Sequence, residues 1–433
     1  MNVVLVPGFL SPRSTLLNYW GTAFDVSTTA LVVAVSPSGV ASLHDRCCEI
    51  FAELTGTQVN YGTAHAKEHH HHQYGRSYTR PLLPNWSAEN PIHFVGHSYG
   101  GPTARYFQHL CTIGFFGPQF NAHFVQSITT INAPHNGALT VYALGQQHAT
   151  CTHLKQQQQP VATRSKHVAT LSIGWCLGMY VHVHQYLSNH CSLINGVFDF
   201  GMAHWPSTSS FSRTCAAVFK KSDMFEQRDS ANHDMSVHAA HAINANMATD
   251  PSTYYISVVG SALAASNNTN TETADDHDVK APHGVCSNVD DDRTSWGETI
   301  LCVCGSIFMV LLKLFTLWNY ASIQKFVTET TIKEWQDTGS DGLVTVKSQM
   351  FPLVDATGNT PNHSVVNSLQ EMRALIRPGC WFVHHVHEHH LGIVPFPKSK
   401  MAQRHFFSTL FTLLETLPNN TKKLPTHFDR QRQ

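Results

Sequence analysis

The chain carries a candidate serine nucleophile in the glycine-rich turn GHSYG at residues 96–100. An apolar run, Ile92–Val95, precedes this turn, and a segment typical of a helix, Pro102–Leu110, follows it. A strand, a sharp turn and a helix are the usual setting of a serine nucleophile, because the turn projects the hydroxyl at a helix N-terminus where negative charge is favoured. An ordinary turn with a capping serine is the alternative interpretation. The context favours Ser98 as a nucleophile in acyl transfer.

A serine nucleophile needs a base, and the base needs a carboxylate that orients it. In enzymes with this kind of turn the chain order is serine, acid, histidine. Asp341 lies downstream in the turn GSDGLV, where an ordinary turn aspartate is the alternative. Five histidines lie between Asp341 and a segment that is typical of an amphipathic helix: His384, His385, His387, His389 and His390. These residues alone do not decide which histidine is the base.

Two backbone N–H groups would have to hold the oxyanion that forms during acyl transfer. Tyr99, the residue after the serine, would supply one of them. Phe9, in the turn PGFL after the first apolar run, would supply the other and point its ring towards the acyl group. Gly8 permits that turn, for which a simple strand-ending turn is the alternative.

Apolar runs rich in β-branched residues alternate with helical patterns along the chain. The runs predict buried parallel strands at Val3–Val6, Leu31–Val35, Ile92–Val95, Val125–Ile131 and Tyr254–Val259, and helices are predicted at His44–Leu54 and Pro102–Leu110. We therefore predict an α/β fold with a doubly wound, mostly parallel sheet. One domain is expected over residues 1–417, with a lid-like insertion at about 145–192, a mobile polar loop at about 266–292 and a polar tail at 418–433.

Composition excludes several classes of protein. Of 433 residues, 42% are hydrophobic and 13% charged, against roughly 25% charged in an average globular protein, so a disordered chain is excluded. A net charge of −1 gives no electrostatic basis for binding nucleic acid. Eleven cysteines without a CxxC pair argue against a disulfide scaffold and a cysteine zinc site, whereas 31 histidines suggest metal or acid–base chemistry.

The stretch Thr299–Trp318 is apolar and long enough to span a bilayer, although Lys313 interrupts it. A single span there would put Ser98 and Asp341 on opposite sides of a membrane. We therefore expect no transmembrane span, and a segment that is buried or at most touches a membrane surface. The apolar run at the N-terminus is too short for a signal-peptide core, which predicts an intracellular protein or a start that lies upstream.

Several longer motifs are more specific than the serine turn, above all HDRCCE, NYGTAHA and NAPHNG. With further segments that run from Val3 to about Leu417, they resemble the bacterial thermoalkalophilic and staphylococcal triacylglycerol lipases. The resemblance implies an α/β-hydrolase fold with lid and zinc-binding insertions. It also implies a catalytic triad of Ser98, Asp341 and His390, where His390 is favoured because HLGIV fits the family pattern around its histidine.

The same resemblance implies a structural zinc ion whose four ligands fall on Asp45, His65, His71 and Asp234. Two imidazoles and two carboxylates suit a closed tetrahedral site. Without the resemblance, the histidine run at residues 69–72 predicts a solvated loop. Because four histidines are consecutive, the zinc ligand that the resemblance assigns to His71 could also be a histidine one residue away. Three positions depart from the family: Pro7 replaces a histidine, Tyr99 replaces a glutamine, and Gly392 replaces an acidic calcium ligand, which argues against calcium.

The sequence thus predicts a serine lipase or carboxylesterase that hydrolyses acyl esters such as triacylglycerol at a lipid–water interface through an acyl-enzyme. An apolar lid around Trp175–Tyr186 would open at the lipid surface. An ordinary helix of the hydrophobic core fits the apolar residues of this segment equally well. Two alternatives remain. One is an acyltransferase or phospholipase on the same fold, and the other is a non-catalytic lipid-binding protein with a broken triad.

Overall fold

The computed structural model describes residues 1–13, 18–26, 28–143, 173–191, 199–206, 210–219, 228–261 and 339–418. Its strands are β1 (Asn2–Val6), β2 (Leu31–Ala34), β3 (Gln58–Asn60), β4 (Tyr74–Ser77), β5 (Ile92–His97), β6 (Val125–Ile131), β7 (Tyr254–Gly260), β8 (His363–Val366) and β9 (Trp381–Val386). Its α-helices are α1 (Leu43–Thr55), α2 (Thr63–His69), α3 (Gly100–Thr112), α4 (Thr140–Ala143), α5 (Ile173–His190), α6 (Phe211–Phe219), α7 (Ala231–Asp234), α8 (Val237–Asn244), α9 (Val346–Met350), α10 (Leu369–Leu375) and α11 (Lys400–Glu415).

Seven of the described strands form one sheet in the order β2-β1-β5-β6-β7-β9-β8, and every neighbouring pair is parallel. All five predicted runs lie in this sheet. The short strands β3 and β4 form a separate antiparallel pair. The predicted α/β fold with a doubly wound, mostly parallel sheet is confirmed.

Helices cover both faces of the sheet, as the alternation of side chains along a strand requires. In β1, Val4 and Val6 pack on the face that carries α1 and α3, whereas Val3 and Leu5 face α11 and the 3₁₀ turn Gly21–Asp25. All four valine and leucine side chains are fully buried. The strand therefore contributes to two hydrophobic cores, and the sheet is held rigidly between them.

The helices begin and end where local sequence signals place them. Ser42 caps α1 by accepting a hydrogen bond from the N–H of Asp45, and Gly56 ends that helix in the left-handed conformation with φ 70°. A small side chain with an oxygen at the N-cap and a glycine after the last turn are the usual signals for these ends. The predicted helices at 44–54 and 102–110 are found as α1 and α3.

The predicted lid-like insertion lies mostly outside the described residues, which include only α5 and its neighbour Cys191 from this region. In α5, Leu177 and Val181 pack against Phe200 and Trp205, while Val183 and Leu187 remain 43% and 39% exposed. The polar loop at 266–292, the stretch Thr299–Trp318 and the tail after Pro418 lie outside the described residues. Among the helices within the described ranges, none has the length and apolar character that crossing a bilayer requires.

Candidate active site and metal centre

Ser98 lies in the turn between β5 and α3, in a backbone conformation that costs energy. Its φ is 53°, a left-handed value that non-glycine residues adopt rarely and at a cost of about 1–3 kcal/mol. The turn needs glycine on its C-terminal side, because a Cβ on Gly100 would lie 2.1 Å from the carbonyl oxygen of Val6. A hydrogen bond of 2.8 Å from the N–H of Ser98 to the carbonyl of Ile131 fixes the turn to β6.

The serine hydroxyl, an imidazole and a carboxylate form a continuous chain of hydrogen bonds. Ser98 Oγ lies 2.9 Å from His390 Nε2, and His390 Nδ1 lies 2.8 Å from Asp341 Oδ2. A carboxylate only accepts hydrogen bonds, so Nδ1 carries the proton and Nε2 is left to accept the serine hydroxyl. All three side chains are buried, and this is the arrangement in which an imidazole serves as a general base.

Backbone hydrogen bonds hold the acid and the base at fixed positions. The second oxygen of the Asp341 carboxylate, Oδ1, accepts the N–H groups of Leu343 and Val344 at 2.9 and 2.8 Å. The N–H of His390 donates to the carbonyl of Asp341 at 2.9 Å, so the two residues are joined by main chain as well as side chain. The sequence-predicted Ser98, Asp341 and His390 therefore come together from three distant segments.

The predicted oxyanion donors, Phe9 and Tyr99, lie on the two turns that flank Ser98. The N–H of Gly8 donates to Tyr19 Oη, and the N–H of Leu10 donates to the carbonyl of Gly39. By contrast, the N–H groups of Phe9 and Tyr99 donate to no other group within the described part of the chain. Two uncommitted donors next to the nucleophile suit a site for a developing oxyanion.

Replacing Gly8 with alanine is expected to lower the rate of acyl transfer by on the order of 10²-fold, because a displaced reacting group can cost that much. The new Cβ would lie 2.8 Å from Ser98 Cβ and 3.1 Å from Tyr19 Oη, so the nucleophile or the turn must move. The measurement is kcat for a soluble ester, normalised to the number of serines that react with a phosphonate. An unchanged kcat would show that the turn at Gly8 does not position the reaction.

A buried guanidinium joins the two turns that carry the predicted oxyanion donors. Arg46, on α1, donates through Nη2 to the carbonyl of Pro7 at 2.6 Å and through Nε to Thr103 Oγ1 at 3.0 Å. Its charge lies 5.0 Å from the centroid of the Tyr99 ring, a cation–π contact. The side chain is fully buried, so it connects the two turns from the interior of the protein.

A second cluster of polar side chains lies at the N-terminal end of α1. One ligand atom from each of four residues falls within 4.8 Å of all the others, and these residues are Asp45, His65, His71 and Asp229. Atoms of all four, including both histidine Nε2 atoms and Asp45 Oδ1, are buried and lack a hydrogen bond among the described residues. Two imidazole nitrogens and two carboxylates are a donor set that suits a tetrahedral zinc ion, so the residues fit the ion that the sequence implies.

The electrostatics of this cluster also indicate a place for a cation. Burial opposes ionisation of Asp45 and Asp229, yet the neighbouring histidines outweigh it and hold the pKa of both carboxyls below the usual range. In turn, burial disfavours the charged form of His65, but Asp229 and Asp45 outweigh it and raise its pKa to about 9. Two buried carboxylates require positive charge nearby, either as protons on the imidazoles or as a bound metal ion.

The structure corrects the fourth predicted metal ligand, because Asp229 occupies the position that the resemblance assigns to Asp234. Asp234 Oδ2 instead accepts the N–H of Leu43 at 2.7 Å and the hydroxyl of Tyr99 at 3.0 Å. Ser230, which follows Asp229, caps α7, and Asp234 is the last residue of that helix, so one carboxylate precedes the helix and the other lies at its end. Asp234 thus ties α7 to α1 and to the serine turn.

Sequence reasoning missed His204, which contacts the metal cluster from a different segment. Its Nε2 lies 2.9 Å from Asp45 Oδ2, and its Nδ1 lies 3.2 Å from the hydroxyl of Tyr61. This contact occupies one oxygen of Asp45 and leaves the other, Oδ1, for a metal ion. The only sequence signal was its place in the segment VFDFGMAHW, which the resemblance matches without assigning a role to the histidine.

The chain is similar in sequence to bacterial lipases. A family model described as a lipase-like, C-terminal domain matches residues 3–156. The lipase of Staphylococcus hyicus is 28% identical over 246 residues, which cover 52% of this chain and 33% of that protein. Lipase 1 of Staphylococcus aureus strain MRSA252 is 26% identical over 388 residues, covering 82% of this chain and 46% of that protein. The chain therefore spans less than half the length of these curated relatives.

Solved structures show the same fold. The crystal structure of Staphylococcus hyicus lipase matches with a TM-score of 0.61 at 20% identity and covers 96% of both chains. Lipase 1 from Pelosinus fermentans matches with a TM-score of 0.59, also at 20% identity, over 96% of this chain and 99% of that one. The described sheet and helices are thus those of a known α/β architecture.

Proposed function

Because this chain is related to the staphylococcal-type lipases and shares their fold, we propose that it is a serine lipase or carboxylesterase. The observation that carries the proposal is the hydrogen-bonded chain from Ser98 Oγ to His390 Nε2 and from His390 Nδ1 to Asp341 Oδ2. The non-catalytic alternative requires a broken triad, and these distances disfavour it. Whether the acyl group passes to water or to another alcohol depends on the acceptor, and hydrolysis is the simplest outcome.

In the first half of the proposed reaction, Ser98 Oγ attacks the ester carbonyl while its proton passes to His390 Nε2. The carbonyl oxygen becomes an oxyanion, which the N–H groups of Phe9 and Tyr99 would hold. Asp341 stabilises the charged imidazolium and keeps it oriented. The ester C–O bond then breaks, and the leaving alcohol takes the proton from His390, which leaves an acyl group on Ser98.

In the second half, water attacks the acyl-enzyme and gives its proton to His390 Nε2. A second oxyanion forms on the same donors and collapses, breaking the bond to Ser98 Oγ. The proton on His390 returns to the serine, and the carboxylic acid is released. Atoms and charges balance over the two halves, so no cofactor is needed for the chemistry.

The proposed substrates are acyl esters with long apolar chains, such as triacylglycerol. The support comes first from the apolar surroundings of the oxyanion turn, where the partly buried Phe9 packs against a buried cluster that contains Leu10, Leu177 and Val181. On the outer side of α5 and α6, Leu187 and Phe211 are 39% and 67% exposed, and exposed apolar side chains favour a lipid–water interface. A soluble short-chain ester would still react, since the hydrogen bonds of the triad do not involve these apolar side chains.

A serine-directed phosphonate with a long alkyl chain is expected to label the protein on Ser98. The activated hydroxyl attacks phosphorus as it would a carbonyl, and mass spectrometry of the digested protein locates the adduct. Ser98→Ala should not react, whereas Ser408→Ala, which removes an exposed serine on α11, should react like the wild type. Labelling at another serine, or no labelling in detergent with zinc present, would refute the proposal.

We also propose that Asp45, His65, His71 and Asp229 hold a structural zinc ion. Zinc would supply the positive charge that the two buried carboxylates require, in place of protons on the imidazoles, and would be coordinated by all four side chains. The ligands come from α1, from α2 and the loop after it, and from the segment before α7, so the ion would join three segments that lie outside the sheet. No catalytic step involves this ion.

A further inference from the structure

The imidazole of His97, the residue before the nucleophile, lies against the main chain of the proposed base. Its Nε2 is 2.9 Å from the carbonyl oxygen of His390, and its Nδ1 is 2.5 Å from Tyr19 Oη. The same tyrosine oxygen lies 3.0 Å from the backbone nitrogen of Gly8, next to the predicted oxyanion donor Phe9. One buried ring therefore links the loop of the base to the oxyanion turn.

The direction of each hydrogen bond follows from the chemistry of its partners. Burial, and then the proximity of His390, lowers the pKa of His97 to about 3, so its ring is neutral and has one N–H. The carbonyl of His390 only accepts, which assigns that proton to Nε2. Nδ1 must then accept the hydroxyl of Tyr19, whose oxygen in turn accepts the N–H of Gly8.

A second buried donor holds the same carbonyl. Asn132 Nδ2 lies 2.9 Å from the carbonyl oxygen of His390, and Asn132 adopts a left-handed φ of 52°. Its Oδ1 accepts the N–H of Gly260, so the asparagine is fixed from both ends. A carbonyl oxygen can accept two hydrogen bonds, and here both come from buried side chains, which restrict where the imidazole of His390 can point.

We propose that His97 is a positioning residue that fixes the base and, through Tyr19, the oxyanion turn in one arrangement around Ser98. This inference rests on the proposed function and extends it to residues that do not touch the substrate. His97 and Ser98 are neighbours in the chain. His97 therefore connects the nucleophile to the base through the carbonyl of His390, and to the oxyanion turn through Tyr19. A shift of the base by about 1 Å costs on the order of 10²-fold in rate, which sets the scale of the effect.

The chain contains a matched control for the loss of a buried histidine. His93 lies on the same strand, β5, and is also buried, with Nδ1 2.9 Å from Ser127 Oγ. Its pKa is lowered to about 3 by burial, as for His97. It lies four residues from His97, near the opposite end of the strand, so its replacement tests the cost of losing a buried imidazole without touching the site.

The test compares His97→Leu, His97→Gln, Tyr19→Phe and His93→Leu in the full chain. For each variant, kcat and KM are measured with a soluble short-chain ester, and kcat is normalised to the sites that a phosphonate labels. His97→Leu should lower kcat by on the order of 10²-fold with KM changed less than about threefold, because the substrate still binds. His97→Gln should recover about tenfold, since its amide N–H can reach the same carbonyl, and Tyr19→Phe should lower kcat by about five- to tenfold.

The outcomes separate this inference from the proposed function. If the wild type neither hydrolyses the ester nor reacts with the phosphonate, the proposed function fails. If the wild type is active and His97→Leu keeps its kcat within about twofold, the positioning role is overturned. It is equally overturned if His93→Leu lowers the normalised kcat as much as His97→Leu does. Should His97→Leu fail to fold, the glutamine and Tyr19 variants decide, and the inference is overturned if Tyr19→Phe has the kcat of the wild type.

Discussion

His390→Ala is expected to lose ester hydrolysis by on the order of 10⁴- to 10⁶-fold in kcat, because removing a triad base disables both halves of the reaction. His389→Ala is expected to keep kcat within about a factor of three. The two side chains are adjacent in the chain but differ in place: His390 is buried against Ser98 and Asp341, whereas His389 is exposed. Initial rates with a soluble ester measure both variants under the same conditions.

The neighbouring histidines provide further controls for the same experiment. His385 and His387 are also exposed, so their alanine variants should behave like His389→Ala. Circular dichroism of each variant shows whether the fold is retained before rates are compared. Loss of activity in His389→Ala or His385→Ala, with His390→Ala still active, would show that a different imidazole serves as the base.

Asp229→Asn is expected to lose the proposed zinc ion, with the affinity for zinc lowered by at least about 10²-fold, since even indirect changes around metal ligands cost 10- to 100-fold. The amide has nearly the shape of the carboxylate but lacks its charge, so the two imidazoles and Asp45 no longer balance a divalent ion. Metal content of the purified protein and a zinc titration measure the effect. The melting temperature should fall as well, because a ligand that binds only the folded state stabilises it.

Asp234→Asn is the matched control, because it changes the aspartate that the family resemblance indicates and the geometry does not. Its carboxylate accepts hydrogen bonds from Leu43 and Tyr99, and an amide oxygen can still accept them. Zinc content should therefore stay at the value of the wild type. Loss of zinc in Asp234→Asn, with normal zinc in Asp229→Asn, would restore the assignment made from the sequence.

The central strands and the serine turn could be predicted because their signals are local. β1, β5, β6 and β7 are apolar runs with β-branched residues, and burial on both faces produces that pattern. The same criterion does not reveal β9, which lies inside the sheet between β7 and β8. Its first three residues are buried, but His384 and His385 follow at its end, and two consecutive histidines break the apolar pattern.

The proposed triad needed a family resemblance to choose one histidine from the cluster, whereas in the candidate metal site the geometry favours Asp229 over the predicted Asp234. Asp229 and Asp234 lie five residues apart in RDSANHDMSV. Asp229 precedes the cap of α7, and Asp234 ends that helix. Which carboxylate reaches His65 depends on the turn at Ser230 and on where α7 packs. That information is tertiary, so the sequence alone does not separate the two. His204 was missed for the same reason, because its partner Asp45 is 159 residues away.

Ser98 and His390 are 292 positions apart along the chain, and this separation has a consequence for synthesis on the ribosome. The serine turn and five strands of the main sheet, β1, β2, β5, β6 and β7, emerge more than 100 residues before the base does. The last long helix, α11, must also arrive, because Phe407 and Leu410 complete the core that holds Trp20 and Ala23 beside the first strand. A chain that ends before residue 390 thus carries the proposed nucleophile without the proposed base, so only a nearly complete chain can assemble the proposed triad.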